Sequence, residues 1–362
     1  MAALDAVEWE PCLLEPLQNR DLEHSLRRTM GIVPPAMRYF FDAPWLVRAF
    51  ATANQVPLLH LSPAMAEMVE LVVSQDNSCR YCYTATRNVM KIIGFPEARI
   101  RRLEEDFLGA DLTPGDKRVL EFARCVSRAS PLATCRDGAP LVDAGYSVDA
   151  VKEIAFFASA SVFFNRVSTL PALPPDEVDL AGRWYVRLLR PLIAKRILRR
   201  CVTTHEALRP EQRDGPFAEF VNALDGLPAA SRLRSVLDDA WGTTALPTRV
   251  KAVVFAVIAR GIGCAPGERE AVRLLIAAGM SADQVEHALA HLSGPELDPA
   301  EQSAAALARE SIWYRPAQLQ RQARAIRAHF TREQFVELIG ITALANGVCR
   351  LAVAVDLAEQ AR

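Results

Sequence analysis

Residues 67–94 read EMVELVVSQDNSCRYCYTATRNVMKIIG. The stretch predicts a helix, a short break at Asp76–Ser78, and a second helix opening on a Cys-x-x-Cys pair. Glu67, Leu71 and Ser74 recur at helical spacing in the first half. Gly94 is placed as a C-terminal stop and Pro96 follows it. Cys79 and Cys82 then lie one turn apart at a helix N-terminus. There the unpaired backbone N–H groups and the helix dipole favour a thiolate, the species that nucleophilic or redox chemistry at sulfur requires. Arg80 and Arg87 flank the pair and would favour the thiolate further.

Working outward, the 362 residues are 51% hydrophobic and 23% charged, ordinary for a globular chain with room for two domains. A net charge of -1 offers no electrostatic case for nucleic acid. No apolar run approaches the roughly 20 residues of a bilayer span. The N-terminus, MAALDAVEWEPCLLEP, carries acids early and lacks a basic start before an apolar core. The expectation is therefore a chain with no signal peptide, no membrane span and a cytosolic setting. Apart from Cys79 and Cys82, the eight cysteines are scattered (Cys12, Cys125, Cys135, Cys201, Cys264, Cys349), which argues against a disulfide framework. Structural zinc wants about four ligands, and neither a second Cys pair nor a nearby His supplies them. No metal and no cofactor is expected.

Almost every segment reads helical, with Ala, Leu, Arg and Glu dominant. Residues 1–30 form an extension without evident chemistry, and 34–56 read as one or two helices. Ser62-Pro63 is an N-cap followed by Pro at the first helical position. Thr113-Pro114 with Asp116 restates it, and Ser147 caps a long apolar helix, VKEIAFFASASVFFNRV. The second half then repeats the first. Cys264, Gly279, Pro299, Ala308 and Arg309 lie 185 residues after Cys79, Gly94, Pro114, Ala123 and Arg124. Thr331, Glu337 and Arg350 lie 184 after Ser147, Glu153 and Arg166. A constant offset held over so many cap and turn positions predicts two copies of one all-helical unit. The expected division is 1–182, a basic linker helix at 183–200, and 201–362, with the copies packed pseudo-symmetrically.

At the Cys pair the chain resembles the AhpD-like or carboxymuconolactone-decarboxylase-like superfamily. Its pattern is a Glu, eleven residues, Cys-x-x-Cys, three residues and a His. Here Glu67, Cys79 and Cys82 match, and Thr86 stands at the His position. The flanks GIVPPAMRYFFDAPWLVRAFATANQ with HLSP, and FFNRVSTLPALPPD, are similar to the family's lead-in and closing segments. The resemblance covers about residues 30–175 well and the second half more weakly. It implies a thiol-dependent oxidoreductase of peroxidase type, acting by alkylhydroperoxide reduction or thiol–disulfide exchange. Cys82 would be the attacking sulfur, Cys79 its resolving partner and Glu67 the proton acceptor, with Tyr81 and Thr86 beside the relay. The implied partners are a small peroxide or disulfide substrate, a reducing thiol protein and further copies of the chain in a homo-oligomer.

Thr86 weakens that reading, because a hydroxyl does not titrate near neutrality as a His does. A degenerate, ligand-binding or scaffolding relative is the competing interpretation, with a decarboxylase-type small-molecule enzyme third. In the second copy Ala252, Pro266, Gly267 and Ala271 replace Glu67, Tyr81, Cys82 and Thr86. That half reads as packing surface without chemistry; the alternative is a binder in the vacated pocket. The segment RWYVRLLRPLIAKRILRR is basic and amphipathic. It is read as a linker whose Leu189, Ile193 and Ile197 pack down, in preference to a membrane-surface helix. His287 and His291 share a helix face but lack a third ligand, and His24, His60, His205 and His329 stand alone.

Overall fold

The computed structural model describes residues 4, 7–53, 56–175, 184–199, 202 and 205–355, with the side chains of Ala53, Cys135, Tyr185 and Arg187 left aside. Among these residues the fold is all-α, as expected. Seventeen α-helices run in order: α1 Arg20–Met30, α2 Pro44–Ala53, α3 Pro63–Asp76, α4 Arg80–Ile93, α5 Glu97–Asp106, α6 Pro114–Ser127, α7 Ala139–Asp143, α8 Val148–Thr169, α9 Trp184–Leu198, α10 Ala218–Asn222, α11 Pro228–Gly242, α12 Thr248–Ile262, α13 Ala265–Ala277, α14 Ala282–His291, α15 Pro299–Trp313, α16 Pro316–Ile326 and α17 Arg332–Ala354. The extended pairing among them is a single isolated bridge between Glu206 and Gly226.

Local chemistry sets the helix ends. Ser62, Thr113 and Ser147 accept from the backbone N–H of Met65, Asp116 and Ala150, and Pro63 and Pro114 take the first helical positions. Ser281 with Gln284 and Thr331 with Gln334 form reciprocal capping boxes. Gly94 ends α4 at φ 113, a left-handed position where a side chain would be strained.

The starts of α3, α4, α5, α6 and α8, at 63, 80, 97, 114 and 148, are followed by those of α12, α13, α14, α15 and α17 at 248, 265, 282, 299 and 332. The shift is 185 for four helices and 184 for the fifth. Packing follows the same order. The helix pair α3 and α4 pack together as do α12 and α13, and α3 meets α6 and α8 as α12 meets α15 and α17. The long helices α8 and α17 pack against each other. A Cβ on Gly347 would meet the Ser159 carbonyl oxygen at 2.9 Å, so the approach of α17 to α8 requires glycine there.

Two buried arginines pin the halves together. Arg166 Nε on α8 donates to the Ser311 carbonyl on α15 at 3.2 Å. Arg350 on α17 donates to the Val126 carbonyl at 3.4 Å, the Arg128 carbonyl at 2.6 Å and the Ile312 carbonyl at 3.1 Å. Burial makes each guanidinium easier to deprotonate, that of Arg166 down to about 10. Glu153 and Glu337, also 184 apart, hold different partners. Glu153 accepts the backbone N–H groups of Leu59, His60 and Leu61 at 2.6–2.8 Å, fixing the loop into α3. Glu337 forms a buried ion pair with Lys251 at 2.6 Å.

Two expectations need correction. One helix, α17, is long and apolar enough to cross a bilayer, with a mean hydropathy of 1.5; 94% of that stretch is buried within the protein, which accounts for its composition. The segment 183–200 does form a helix, α9, but Leu189 does not pack down. It is 46% exposed, beside Leu188 at 72% and Leu192 at 68%. Pro191 lies inside α9, which rests on α4 and α3 partly through Arg190 Nε donating to the Ile92 carbonyl at 3.1 Å. The proposed boundaries at 182/183 and 200/201 fall outside the described residues.

Candidate functional site

α3 ends at Asp76, Asn77 caps it, and Ser78 takes a left-handed φ of 48 that turns the chain back. Cys79 is then the N-cap of α4, and its Sγ accepts the Cys82 backbone N–H at 3.3 Å. The two thiols therefore occupy the expected helix start, and all six cysteines whose side chains are described are free. Cys79 is fully buried and Cys82 is 5% exposed. The Cys82 thiol donates to Ser168 Oγ at 3.7 Å.

Burial pushes the Cys82 thiol well above its ordinary value, and the neighbouring Cys79 adds to the rise. That departs from the expected helix-start thiolate: desolvation outweighs the dipole here. The flanking arginines are engaged elsewhere. Arg87 pairs with Glu97 and Glu104. Arg80 donates to the carbonyls of Leu173 and Ala172, both at 2.9 Å, and stacks on Trp9 with its guanidinium carbon 4.4 Å from the ring centre. Through Trp9, and the Leu13 N–H on the Pro171 carbonyl at 2.9 Å, the N-terminal segment covers the start of α4.

Cys82 lines a cavity of 330 Å³, within the usual range for a small-molecule site. Tyr81 and Asn88 of α4 and Glu70 of α3 line it too, with Phe50, Phe157 and Phe164 among its apolar walls. Of the residues singled out in the sequence, Cys82 and Tyr81 face this space. Cys79, Glu67 and Thr86 do not line it; Glu67 and Thr86 are 3% and 2% exposed. Thr86 Oγ1 has no hydrogen-bond partner among the described residues.

The second half contributes more than packing. Leu233 and Val236 of α11, with Leu344, Val348 and Leu351 of α17, wall the same cavity. Tyr314, at the end of α15, donates to Thr169 Oγ1 at 2.6 Å and stacks under Arg166, whose guanidinium carbon is 4.1 Å from the ring centre. Its acceptor Thr169 adjoins Ser168, which takes the Cys82 thiol, and burial first, and then Cys79, push the Tyr314 hydroxyl well above its ordinary value. No motif marks Tyr314 or Ser168; repeat matching places Tyr314 opposite Ala129.

At the matching start of α13, Gly267 replaces Cys82. A Cβ there would meet Cys264 Sγ at 3.1 Å and Cys349 Sγ at 3.2 Å. Cys349 of α17 thus brings a second thiol beside Cys264, and both are fully buried. The equivalence that sequence offsets give, Cys349 with Asn165, does not reveal this pair. His287 and His291 lie with ring centres 4.5 Å apart, and His287 Nδ1 is 3.1 Å from Glu296. No group of three or more potential metal ligands forms among the described residues.

No family model matches the chain, and no curated protein is significantly similar to it. Among solved structures it is similar to one described as alkylhydroperoxidase AhpD core, an uncharacterized peroxidase-related protein from Ralstonia eutropha JMP134. The likeness has 22% identity and a TM-score of 0.41, and covers 46% of this chain and 94% of that one. A likeness this partial assigns no activity.

Proposed function

We propose that the chain is a thiol-dependent oxidoreductase that reduces hydroperoxides, or exchanges disulfides, at Cys79 and Cys82. One observation carries the reading: Cys82 lines a ligand-sized cavity while Cys79 stands one turn behind it, with its sulfur on the Cys82 N–H. The order of the two thiols fits the roles of attacking and resolving sulfur. Cys82 loses its proton, with Glu67 as acceptor, and its sulfur attacks the distal oxygen of a hydroperoxide. The O–O bond breaks, an S–O bond forms, and the alcohol leaves with a proton. Cys79 then attacks the Cys82 sulfenic acid, forming a disulfide and releasing water. A reducing dithiol partner returns both thiols, so each turnover moves two electrons. Tyr81 lines the same cavity as the reacting sulfur. Thr86, buried and without a hydrogen-bond partner among the described residues, supplies no titrating group where the resemblance places a His, which leaves the proton transfer slow.

The AhpD-like resemblance of residues 30–175, the repeated helix order and the reciprocal reach of Arg166 and Arg350 support a tandem duplication with one reactive copy. In this reading a cytosolic setting keeps the thiols reduced, and the chain assembles into a homo-oligomer. The test is peroxide consumption with a dithiol reductant, together with sulfenic-acid trapping in Cys79→Ser. Turnover by the unaltered chain, and a trapped sulfenic acid at Cys82 in the variant, are expected; inert thiols in both would refute the reading.

A second reading has its own observation. The raised Cys82 thiol and the unpartnered Thr86 hydroxyl fit a catalytically degenerate member that keeps the cavity as a binding site. It predicts ligand binding without peroxide consumption.

A further inference from the structure

We propose that the cavity beside Cys82 binds a long-chain monocarboxylate, a fatty acid or its hydroperoxide, with the carboxylate held by Arg232. This deepens the oxidoreductase reading and rests on it for the role of Cys82, but the binding itself needs no redox step.

Size comes first. At 330 Å³ the cavity falls within the roughly 300–1,000 Å³ of sites that enclose a small organic ligand. A peroxide of a few atoms leaves most of that space unfilled. Lining chemistry comes second. The walls are mainly aromatic and aliphatic, with Phe50, Phe157, Phe164 and Met37 among them, so the body of the ligand is apolar. Ile32, 54% exposed, stands on the lining and connects it to solvent.

Charge fixes the polar end. Among the described residues Arg232 is the cationic one on the lining; it is half-buried and forms no ion pair with any of them. A guanidinium on an apolar cavity recruits a carboxylate by charge-assisted, two-pronged hydrogen bonding. Polarity also sets direction. Glu70 also lines the cavity, and an acidic side chain offers a ligand carboxylate no counter-charge there, which leaves that part to Arg232. Arg232 sits on α11, which packs on α2, whereas Cys82 sits on α4, which packs on α3, α8 and α9. The carboxylate on one wall and the apolar body reaching towards the other bring the middle or tail of the chain to the thiol. Arg232 belongs to the second half, which gives that half a part in recognition.

The test measures displacement of a fluorescent polyene fatty acid from the full-length reduced protein, with no peroxide present. Oleic acid is compared with methyl oleate on the unaltered chain, Arg232→Ala and Arg232→Lys. Expected are tighter binding of the acid than of the ester, a loss of about tenfold or more for the acid in the Ala variant, little change for the ester, and recovery of acid binding in the Lys variant. Equal affinity for acid and ester, unaltered acid binding in Arg232→Ala, or loss in Arg232→Lys equal to that in Arg232→Ala would overturn the inference; so would no binding of either ligand. Since no step consumes peroxide, inert thiols leave this result standing, and a failure to bind leaves the thiol chemistry to be judged separately.

Discussion

Cys79 and Cys264 begin two helices 185 residues apart, at the same place in two similar runs of helices, yet their partner thiols arrive by different routes. Cys82 comes from the same helix and faces a cavity. Cys349 comes from α17 and is sealed in the core with Cys264, and Gly267 makes room for both. A thiol pair is therefore not in itself a reactive site. Supply of the second sulfur from within one helix puts it on the face of that helix that lines a cavity. Supply from a central helix spends the same space on packing.

The two helix starts differ most at sulfur. Cys82→Ser is expected to abolish hydroperoxide-dependent disulfide formation, whereas Cys349→Ser leaves it intact, as read by mass mapping of alkylated thiols. The next largest effect concerns the matched carboxylates. Glu337→Ala leaves Lys251 buried without its counter-charge and is expected to cost about 3–5 kcal/mol in urea unfolding. Glu153→Ala instead strands the backbone N–H groups of the loop into α3. Its effect should include faster hydrogen exchange at Leu59, His60 and Leu61, which Glu337→Ala lacks.

Gly267→Ala inserts a methyl against two buried sulfurs and is expected to destabilise by about 1–3 kcal/mol in the same assay. A retained midpoint would mean that the Cys264 pocket is looser than described. The pH dependence comes next. With its thiol pushed above 9.0, Cys82 should alkylate with a half-maximal rate above pH 9.0. The same shift sets a stability sign. Below pH 9.0 the thiol is neutral in both states and contributes nothing. Above it the unfolded chain ionises first, so stability falls as pH rises, and Cys82→Ser should reduce that slope. The smallest expected effects are at the matched caps. Ser147→Ala and Thr331→Ala should each cost about 1 kcal/mol, and a large inequality would show that α8 and α17 are held differently.

What the sequence made legible is what lies close along the chain. The break at Asp76–Ser78, the helix start at the Cys pair, the Ser62, Thr113 and Ser147 starts and the recurring helix order are all local signals, and each appears in the structure. Tyr314 beside the thiols, Cys349 beside Cys264 and Arg232 on the cavity join residues more than 80 positions apart, and no spacing rule links them. Leu189 misled for a related reason. Helical spacing identifies an apolar row, but only the neighbouring elements decide whether that row is covered. The thiol is the instructive case: a helix start argues for an ionised sulfur, and burial, which is invisible in the motif, argues more strongly against it at Cys82.

Reactivity at Cys82 is decided by treating the reduced chain with one equivalent of an organic hydroperoxide and mapping all the thiols by differential alkylation. The expected product is a Cys79–Cys82 disulfide with Cys264 and Cys349 still reduced. Oxidation at Cys264 and Cys349 to the same extent, or no oxidation at Cys82, would contradict it.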